Sequence, residues 1–438
     1  MATQVRGRRL IMSCALMYAL VMIGCSGPQE GEDDSGQQPR VQRAEPSGLN
    51  VPMVSTVDQI KTVQLYAQEE QQLPVVPLRS GRQLTLEFDL MEPSGRTLSV
   101  YFYHADRNWE RDLFAGEYMT SFERDELFDY TASRNTQVRY THYTYKFPNG
   151  NIDFRISGNY ILRVTEQGRK DEVLFERAFF VTEDATALQF GVDNLMVGGS
   201  YPSSQPTLSF RPPQALAGNV FDYNVCFLRN GRLETARCSN DASLTQQPDL
   251  LFYLQPERAF PPTSGDYFLD LRTIRVGGVV EATDRTVQPY RVALEPDYAR
   301  FGSSNIDPLL NGQTVISTVR DVATPDIEGE YVDALFRYVP DNEERLSGGV
   351  YLTGSFNDWS VDLGKELRWI PENKRYEGSL LLKQGQYEYR YTSPDRRVRR
   401  QLNTALPRSE NTYAAFVYYD DVSLNTDRLL AAQFIVAR

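Results

Sequence analysis

Histidine is nearly absent from this 438-residue chain, which has only His104 and His142. A Ser-His-Asp triad or a His-rich metal centre would have to use one of these two residues. The chain also has no His-Glu-x-x-His sequence, no Gly-x-Ser-x-Gly sequence, no Walker loop and no calcium-loop spacing. His104 and Asp106 could chelate zinc together with His142, but hydrogen bonding of both imidazoles within strands is the preferred interpretation. The sequence therefore predicts a protein that is not an enzyme and has no cofactor or metal.

Basic residues are fewer than acidic ones. The chain has 46 Lys and Arg against 58 Asp and Glu, and its net charge is −12. Removal of an N-terminal segment with three arginines and no acidic residue would lower the net charge to −15. Nucleic acid and anionic lipid head groups are poor partners for such a protein.

Long apolar runs are lacking except near the N-terminus, where Arg6, Arg8 and Arg9 precede an apolar stretch over 10–23. This stretch is too short to span a bilayer and is typical of a signal peptide. Met-Ile-Gly at 22–24 precedes Cys25 and approximates a lipobox, so we predict a signal over 1–24 and lipidation at Cys25. Ser26 follows the cysteine, where Asp would favour the inner membrane, and the predicted location is the outer membrane. Residues 25–50 are rich in Gly, Pro and acids and predict a disordered tether or an acidic export tag.

Sustained helical periodicity is absent, and strand-like runs bounded by Gly, Pro, Asn and Asp recur throughout the chain. This pattern predicts an all-β protein of immunoglobulin-like β-sandwiches in series. We place the three sandwiches at 51–184, 185–296 and 297–438. In the third, Tyr387, Tyr389 and Tyr391 alternate with polar residues, which predicts a strand with one apolar face.

Cysteine is rare, and two of the four cysteines, Cys226 and Cys238, flank a predicted hairpin with Asn230 and Gly231 at its turn. In a strict two-residue hairpin Cys226 would face Thr235, so a Cys226–Cys238 disulfide needs a bulge. An oxidising compartment would allow that bond, and both the bonded and the free state stay open.

Several sequence motifs resemble the type 9 secretion system plug proteins of the Bacteroidetes and their relatives. The N-terminal motifs are Phe-Asp-Leu at 88–90, Tyr-His at 103–104 with Trp109, Tyr-Thr-His-Tyr at 140–143, Phe-Pro-Asn at 147–149 and Ser-Gly-Asn-Tyr-Ile-Leu at 157–162. The C-terminal motifs are Gly-Ser-Phe-Asn-Asp-Trp at 354–359, Tyr-Glu-Tyr-Arg-Tyr at 387–391 and Asn-Thr-Tyr at 411–413. The resemblance implies a non-enzymatic lipoprotein on the periplasmic face of the outer membrane. Its implied role is to plug the periplasmic opening of the translocon barrel, which would be its partner.

The C-terminal segment also resembles the early-set sandwich of glycogen-binding modules. In those modules a Trp stacks on glucose and a basic residue binds hydroxyls, and Trp359 and Arg390 occupy the matching positions. No Trp follows in the loop after 391, where the modules have a second one, and burial of Trp359 is the simpler interpretation. The alternative function is thus a surface lipoprotein that binds α-glucan.

A basic cluster stands out in this acidic chain and consists of Arg396, Arg397, Arg399 and Arg400. A solvated hairpin tip would explain it. The second interpretation is a contact with an acidic rim on a partner.

Overall fold

Strands make up most of the regular structure in a computed structural model of the protein. The structure describes residues 56–196, 202–243, 248–262, 266–299, 310–319, 324–361, 364–402 and 410–437. The all-β prediction is confirmed. The predicted signal, the tether and Cys25 lie outside the described residues. None of the helices in the described segments has the length and apolarity needed to cross a bilayer.

The first sandwich uses the strands between Ile60 and Thr182 and one short helix, α1 (Ala115–Tyr118). Its strands are β1 (Ile60–Tyr66), β2 (Val75–Pro77), β3 (Leu84–Leu90), β4 (Leu98–Ala105), β5 (Arg124–Leu127), β6 (Tyr130–Ala132), β7 (Thr141–Phe147), β8 (Gly158–Glu166) and β9 (Val173–Thr182). Sheet I has the order β1-β3-β7-β6, and sheet II has the order β2-β9-β8-β4-β5. All neighbouring strands are antiparallel except β2 and β9.

Period-two alternation gives each strand of sheet I two different faces. Leu86 and Phe88 of β3 point into the core between sheets I and II, where the Phe88 ring meets that of Phe175 at 5.0 Å. Glu87 and Asp89 therefore lie on the opposite face of the strand. This outer face carries the polar groups that meet the third sandwich.

The next segment contributes two strand pairs and a single strand to the middle sandwich. They are β10 (Leu188–Leu195), β11 (Ser203–Phe210), β12 (Tyr223–Arg229), β13 (Arg232–Ser239) and β14 (Leu250–Tyr253). Short 3-10 helices cover Gln214–Leu216, Val220–Asp222 and Pro256–Arg258. Strands β10, β11 and β14 form sheet IV, whereas β12 and β13 belong to a different sheet.

The third sandwich follows as one curled ten-stranded sheet, sheet V. Its strands are β15 (Tyr267–Asp270), β16 (Val280–Asp284), β17 (Tyr290–Leu294), β18 (Asp297–Tyr298), β19 (Val315–Ile316), β20 (Tyr331–Val339), β21 (Val350–Gly354), β22 (Lys365–Ile370), β23 (Arg375–Lys383) and β24 (Gly385–Thr392). The helices here are α2 (Pro325–Glu328), the 3-10 helix Ser355–Asn357 and α3 (Arg396–Leu402). Strand β22 pairs with β21 along its first half and with β23 along its second, so the sheet folds over on itself. Tyr387, Tyr389 and Tyr391 all lie in its core, as the alternation predicts.

The chain then returns to the middle sandwich with β25 (Asn411–Asp421) and β26 (Thr426–Ala437). Strand β12 pairs over its whole length with residues 413–419 of β25, and sheet III has the order β13-β12-β25-β26.

This topology corrects the predicted division into 185–296 and 297–438. Strands β15, β16 and β17 pair with β24 and β20 and so belong to the third sandwich. Strands β25 and β26 belong to the middle one. The third sandwich is inserted between β14 and β25, and the sandwiches are not in simple series. The boundaries were misplaced because strand partners distant in sequence leave no mark in local periodicity.

Sheets I to IV are stacked in four layers. Sheet II is apolar on both faces: Leu162 points into the first sandwich, whereas its neighbour Ile161 packs toward sheet III. The same holds for sheet III, where Phe416 faces sheet II and Val417 faces sheet IV. The first and middle sandwiches are therefore joined by an apolar layer between sheets II and III.

Candidate functional site

Trp359 and Arg390 do not form an exposed sugar platform, so the structure has Trp359 buried, as the simpler interpretation expects, and does not support the alternative sugar contact. Trp359 is only 7% exposed, and its indole N–H donates to the carbonyl oxygen of Gly312 at 3.0 Å. The guanidinium of Arg232, from the middle sandwich, lies 3.9 Å from the centre of the indole ring. The face that would stack on glucose is thus covered by protein.

Arg390 is held in a buried ion pair between the middle and third sandwiches. Its Nε donates to Asp266 at 2.8 Å, and Arg232 donates to the same carboxylate. Burial acts to raise the pKa of Asp266, but Arg232 and Arg390 hold it below its ordinary value. Two arginines on one buried carboxylate fix the position of the two sandwiches relative to each other.

Glu388 lies beside this pair on β24 and receives the backbone N–H groups of Leu310 and Gly312 at 3.0 and 3.1 Å. Burial raises the pKa of Glu388 to about 6 despite these two donors. The carboxylate holds the segment that caps Trp359.

The basic cluster lies on helix α3 and not at a hairpin tip. Val398 is fully buried and anchors the helix, and Arg399 donates through Nε to the carbonyl oxygen of Ser393 at 2.8 Å. Arg396, Arg397 and Arg400 are exposed. Three of the four predicted contact residues are therefore presented to solvent, while Arg399 has a local structural role.

Cys226 and Cys238 are directly opposite each other on β12 and β13 and are joined by a disulfide. The register shifts between Phe227 and Arg229, which provides the bulge that the sequence required. Cys226 is fully buried against the first sandwich. The bond thus rigidifies the layer on which the first sandwich packs.

His104 has both ring nitrogens engaged in structural contacts. Nδ1 lies 2.8 Å from Asp112, and Nε2 lies 3.2 Å from the carbonyl oxygen of Ser157. Asp106 accepts the backbone N–H groups of Asn108 and Glu110. His104 and Asp106 are not brought together with His142 as metal ligands.

His142 instead belongs to a buried ionic cluster between sheet I and the third sandwich. Its Nδ1 lies 2.8 Å from the carboxylate of Asp89, which faces it across the β3–β7 pair. Asp89 and Lys383 are each 1% exposed, and Lys383 Nζ donates to Asp89 at 2.7 Å. Tyr331 donates its hydroxyl to the same carboxylate at 2.7 Å, and the Tyr140 ring centre lies 4.4 Å from Nζ.

Each charged group in this cluster stabilises the charged form of its neighbour. Burial acts to raise the pKa of Asp89, but Lys383 and His142 hold it below its ordinary value. Burial likewise acts to lower the pKa of His142, but hydrogen bonds to Asp89 and Glu87 outweigh this and raise it to about 9. The imidazolium form is stabilised by two carboxylates.

A cleft of about 180 Å³ opens beside His142 and contains a possible metal-ligand set. Glu87, His142 and Asp326 offer ligand atoms that all lie within 4.8 Å of one another. Glu87 Oε1 lies 3.8 Å from His142 Nε2, and Asp326 comes from helix α2. Sequence reasoning missed this group because Asp326 is remote in sequence, although alternation in β3 and β7 already places Glu87, Asp89 and His142 on one face.

Comparisons with known proteins agree with this architecture. Residues 60–183 match the family model described as the type 9 secretion system plug protein first domain. A crystal structure of a hypothetical protein from Parabacteroides merdae is similar with a TM-score of 0.78 and 23% identity, over 88% of this chain and 99% of that one. This similarity shows the fold. A search of curated proteins finds no match.

Proposed function

We propose that the protein closes the periplasmic opening of the type 9 translocon barrel while no substrate passes. The match over residues 60–183 carries this proposal. The match also indicates a role in type 9 secretion and a place in the cell envelope. The plugging itself, and a barrel as the partner, are our inference from the family.

The architecture supports such a role. The described residues all belong to one compact unit, and the first sandwich is joined to the others by an apolar layer and by a buried ionic cluster. A rigid body of this kind can obstruct an opening without doing chemistry. We further propose a lipid anchor at Cys25 on the periplasmic face of the outer membrane. Attachment to that anchor would keep the body at high effective concentration near a barrel.

An α-glucan-binding surface lipoprotein is the weaker alternative. It relied on Trp359 and Arg390, which are committed to contacts within the protein.

The plug proposal is tested by capture of the partner. We expect a C-terminally tagged chain, solubilised in mild detergent, to recover the translocon barrel, because a plug must bind the opening that it closes. We also expect deletion of the gene to make the outer membrane permeable to large hydrophilic probes while secretion can still proceed. A deletion strain that stays impermeable, together with a tagged protein that recovers no barrel, would disprove the plug assignment.

The same capture assay tests helix α3 as a contact surface. Arg396, Arg397 and Arg400 would be replaced by Glu, with Arg399 kept for its bond to Ser393. Capture should weaken chiefly at low salt, since exposed charges are screened within about 8 Å at physiological ionic strength. The matched control reverses three other exposed arginines, Arg79, Arg82 and Arg275, for an equal change in net charge. Equal losses in both variants would contradict a specific contact.

Lipidation is tested by Cys25→Ala. We expect this change to abolish fatty-acid labelling and to move the protein from the membrane to the soluble fraction, because two or more acyl chains suffice for stable anchoring. Cys14→Ala, which lies in the predicted signal and leaves both the lipobox and the disulfide intact, serves as the control. Unchanged fractionation of Cys25→Ala would show that the anchor is not at this residue.

A further inference from the structure

The cleft beside His142 brings one imidazole and two carboxylates to a single point between sheet I and helix α2. We propose that Glu87, His142 and Asp326 bind a divalent transition metal ion of the Zn²⁺ class. Nitrogen from imidazole and oxygen from carboxylates are ligands that such ions accept. The three ligand atoms already lie within 4.8 Å of one another, so small side-chain movements would complete the contacts.

The surroundings of His142 orient it as a ligand. Nδ1 is directed to Asp89 at 2.8 Å, and the tautomer with a proton on Nδ1 leaves the lone pair of Nε2 toward the cleft. A carboxylate behind a metal-binding imidazole is the common arrangement in zinc sites, because it fixes the ring and increases its basicity. Asp89 is itself fixed, since Lys383 and Tyr331 both donate to it.

Asp326 provides an independent observation. Its backbone carbonyl oxygen accepts from Tyr140 and Lys383, which holds the residue in place beside the cleft. Within the described segments its carboxylate accepts no hydrogen bond and forms no ion pair. The carboxylate is therefore open to the cleft and available to a cation there.

The local charge balance also favours a divalent cation. Three carboxylates, those of Glu87, Asp89 and Asp326, lie near the ammonium of Lys383 and the imidazole of His142. A metal ion that binds Nε2 replaces the proton there, and its two positive charges then balance the three carboxylates together with Lys383. Thr131, Thr144 and Thr324 line the same cleft, and water can take the remaining coordination positions of the ion.

The ion would connect two sandwiches. Glu87 and His142 lie on strands β3 and β7 of the first sandwich, whereas Asp326 lies on helix α2, immediately before strand β20 of the third. A bound metal ion would therefore link the first sandwich to the third through its ligands. This role goes beyond the proposed plug function and does not depend on it.

The proposal is tested on the purified full-length chain after treatment with a chelator and dialysis. Titration with ZnCl₂ in a calorimeter should show saturable binding of one ion per chain. CoCl₂ should give visible absorption bands typical of nitrogen and oxygen ligands. Asp326→Asn should weaken Zn²⁺ binding by at least about tenfold, since even changes to second-shell residues cost 10–100-fold.

Two further variants keep the result interpretable. Asp129→Asn alters a carboxylate that lines the same cleft outside the three ligands and should leave Zn²⁺ affinity unchanged. Glu87→Gln retains an acceptor for the hydroxyl of Tyr66 and should lose affinity as Asp326→Asn does. Absence of saturable binding, or equal Zn²⁺ affinity in the wild-type chain and Asp326→Asn, would overturn the proposal. Because no barrel is present in this assay, its outcome is separate from that of the plug experiment.

Discussion

Replacement of Lys383 by Met is expected to lower the free energy of unfolding by about 3–5 kcal/mol, the range measured when one partner of a buried ion pair is removed. The ammonium and the carboxylate of Asp89 are each 1% exposed and lie 2.7 Å apart. Without Lys383, Asp89 keeps His142 and Tyr331 but loses its ammonium partner in a site that water does not reach. Chemical denaturation of the purified protein, followed by tyrosine fluorescence, measures the loss.

Two comparisons isolate the charge effect. Lys374 and its partner Glu343 are both exposed. Lys374→Met should therefore lower the free energy of unfolding by less than about 1 kcal/mol. In the double variant Asp89→Asn with Lys383→Met, the decrease in the free energy of unfolding should be smaller than the sum of the two single decreases. The reason is that neither member of the pair keeps an unpaired charge. Additive losses would mean that the two residues do not stabilise each other.

Phe416→Ala is the second change with a large expected effect, a loss of about 3–5 kcal/mol typical of a buried phenylalanine. Its ring is fully buried and stacks on Phe180 of the first sandwich, with ring centres 4.6 Å apart. Truncation leaves a cavity between sheets II and III, and both sheets are constrained on their other faces and cannot close it. Urea unfolding measures the change.

The matched control is Phe434→Ala. Phe434 lies on neighbouring strand β26, its ring centre is 6.2 Å from that of Phe416, and it is 41% exposed. Phe434→Ala should lower the free energy of unfolding by no more than about 1 kcal/mol. Equal effects of the two variants would show that the layer between the first and middle sandwiches contributes little to stability.

Local properties of the fold were predictable from the sequence. Alternation in β24 indicated that Tyr387, Tyr389 and Tyr391 share a buried face, and Asn230 and Gly231 indicated a hairpin turn. Turn chemistry and period-two patterns act over a few residues, and a single sequence records them directly.

The pairing of distant strands and the buried ionic cluster were not predictable in the same way. Nothing near Asp89 indicates that Lys383 will neutralise it, and nothing near β12 indicates that β25 will lie beside it. The arginines at 396–400 were assigned to a hairpin tip because Val398, the residue that anchors helix α3, has no local partner to reveal its burial. Trp359 was similarly ambiguous, since the residue that covers it, Arg232, comes from another sandwich.

The insertion of the third sandwich sets an order of events as the chain is made. The first sandwich needs only strands from one continuous segment and can form as soon as Thr182 has appeared. Strand β12, in contrast, has one edge without a neighbour until β25 arrives, and the entire third sandwich is made in between. Open strand edges are sites of aggregation, and pairings of long sequence separation form slowly. We therefore expect the middle sandwich to be completed last as the chain is made, with an edge of β12 open to other chains until β25 pairs with it.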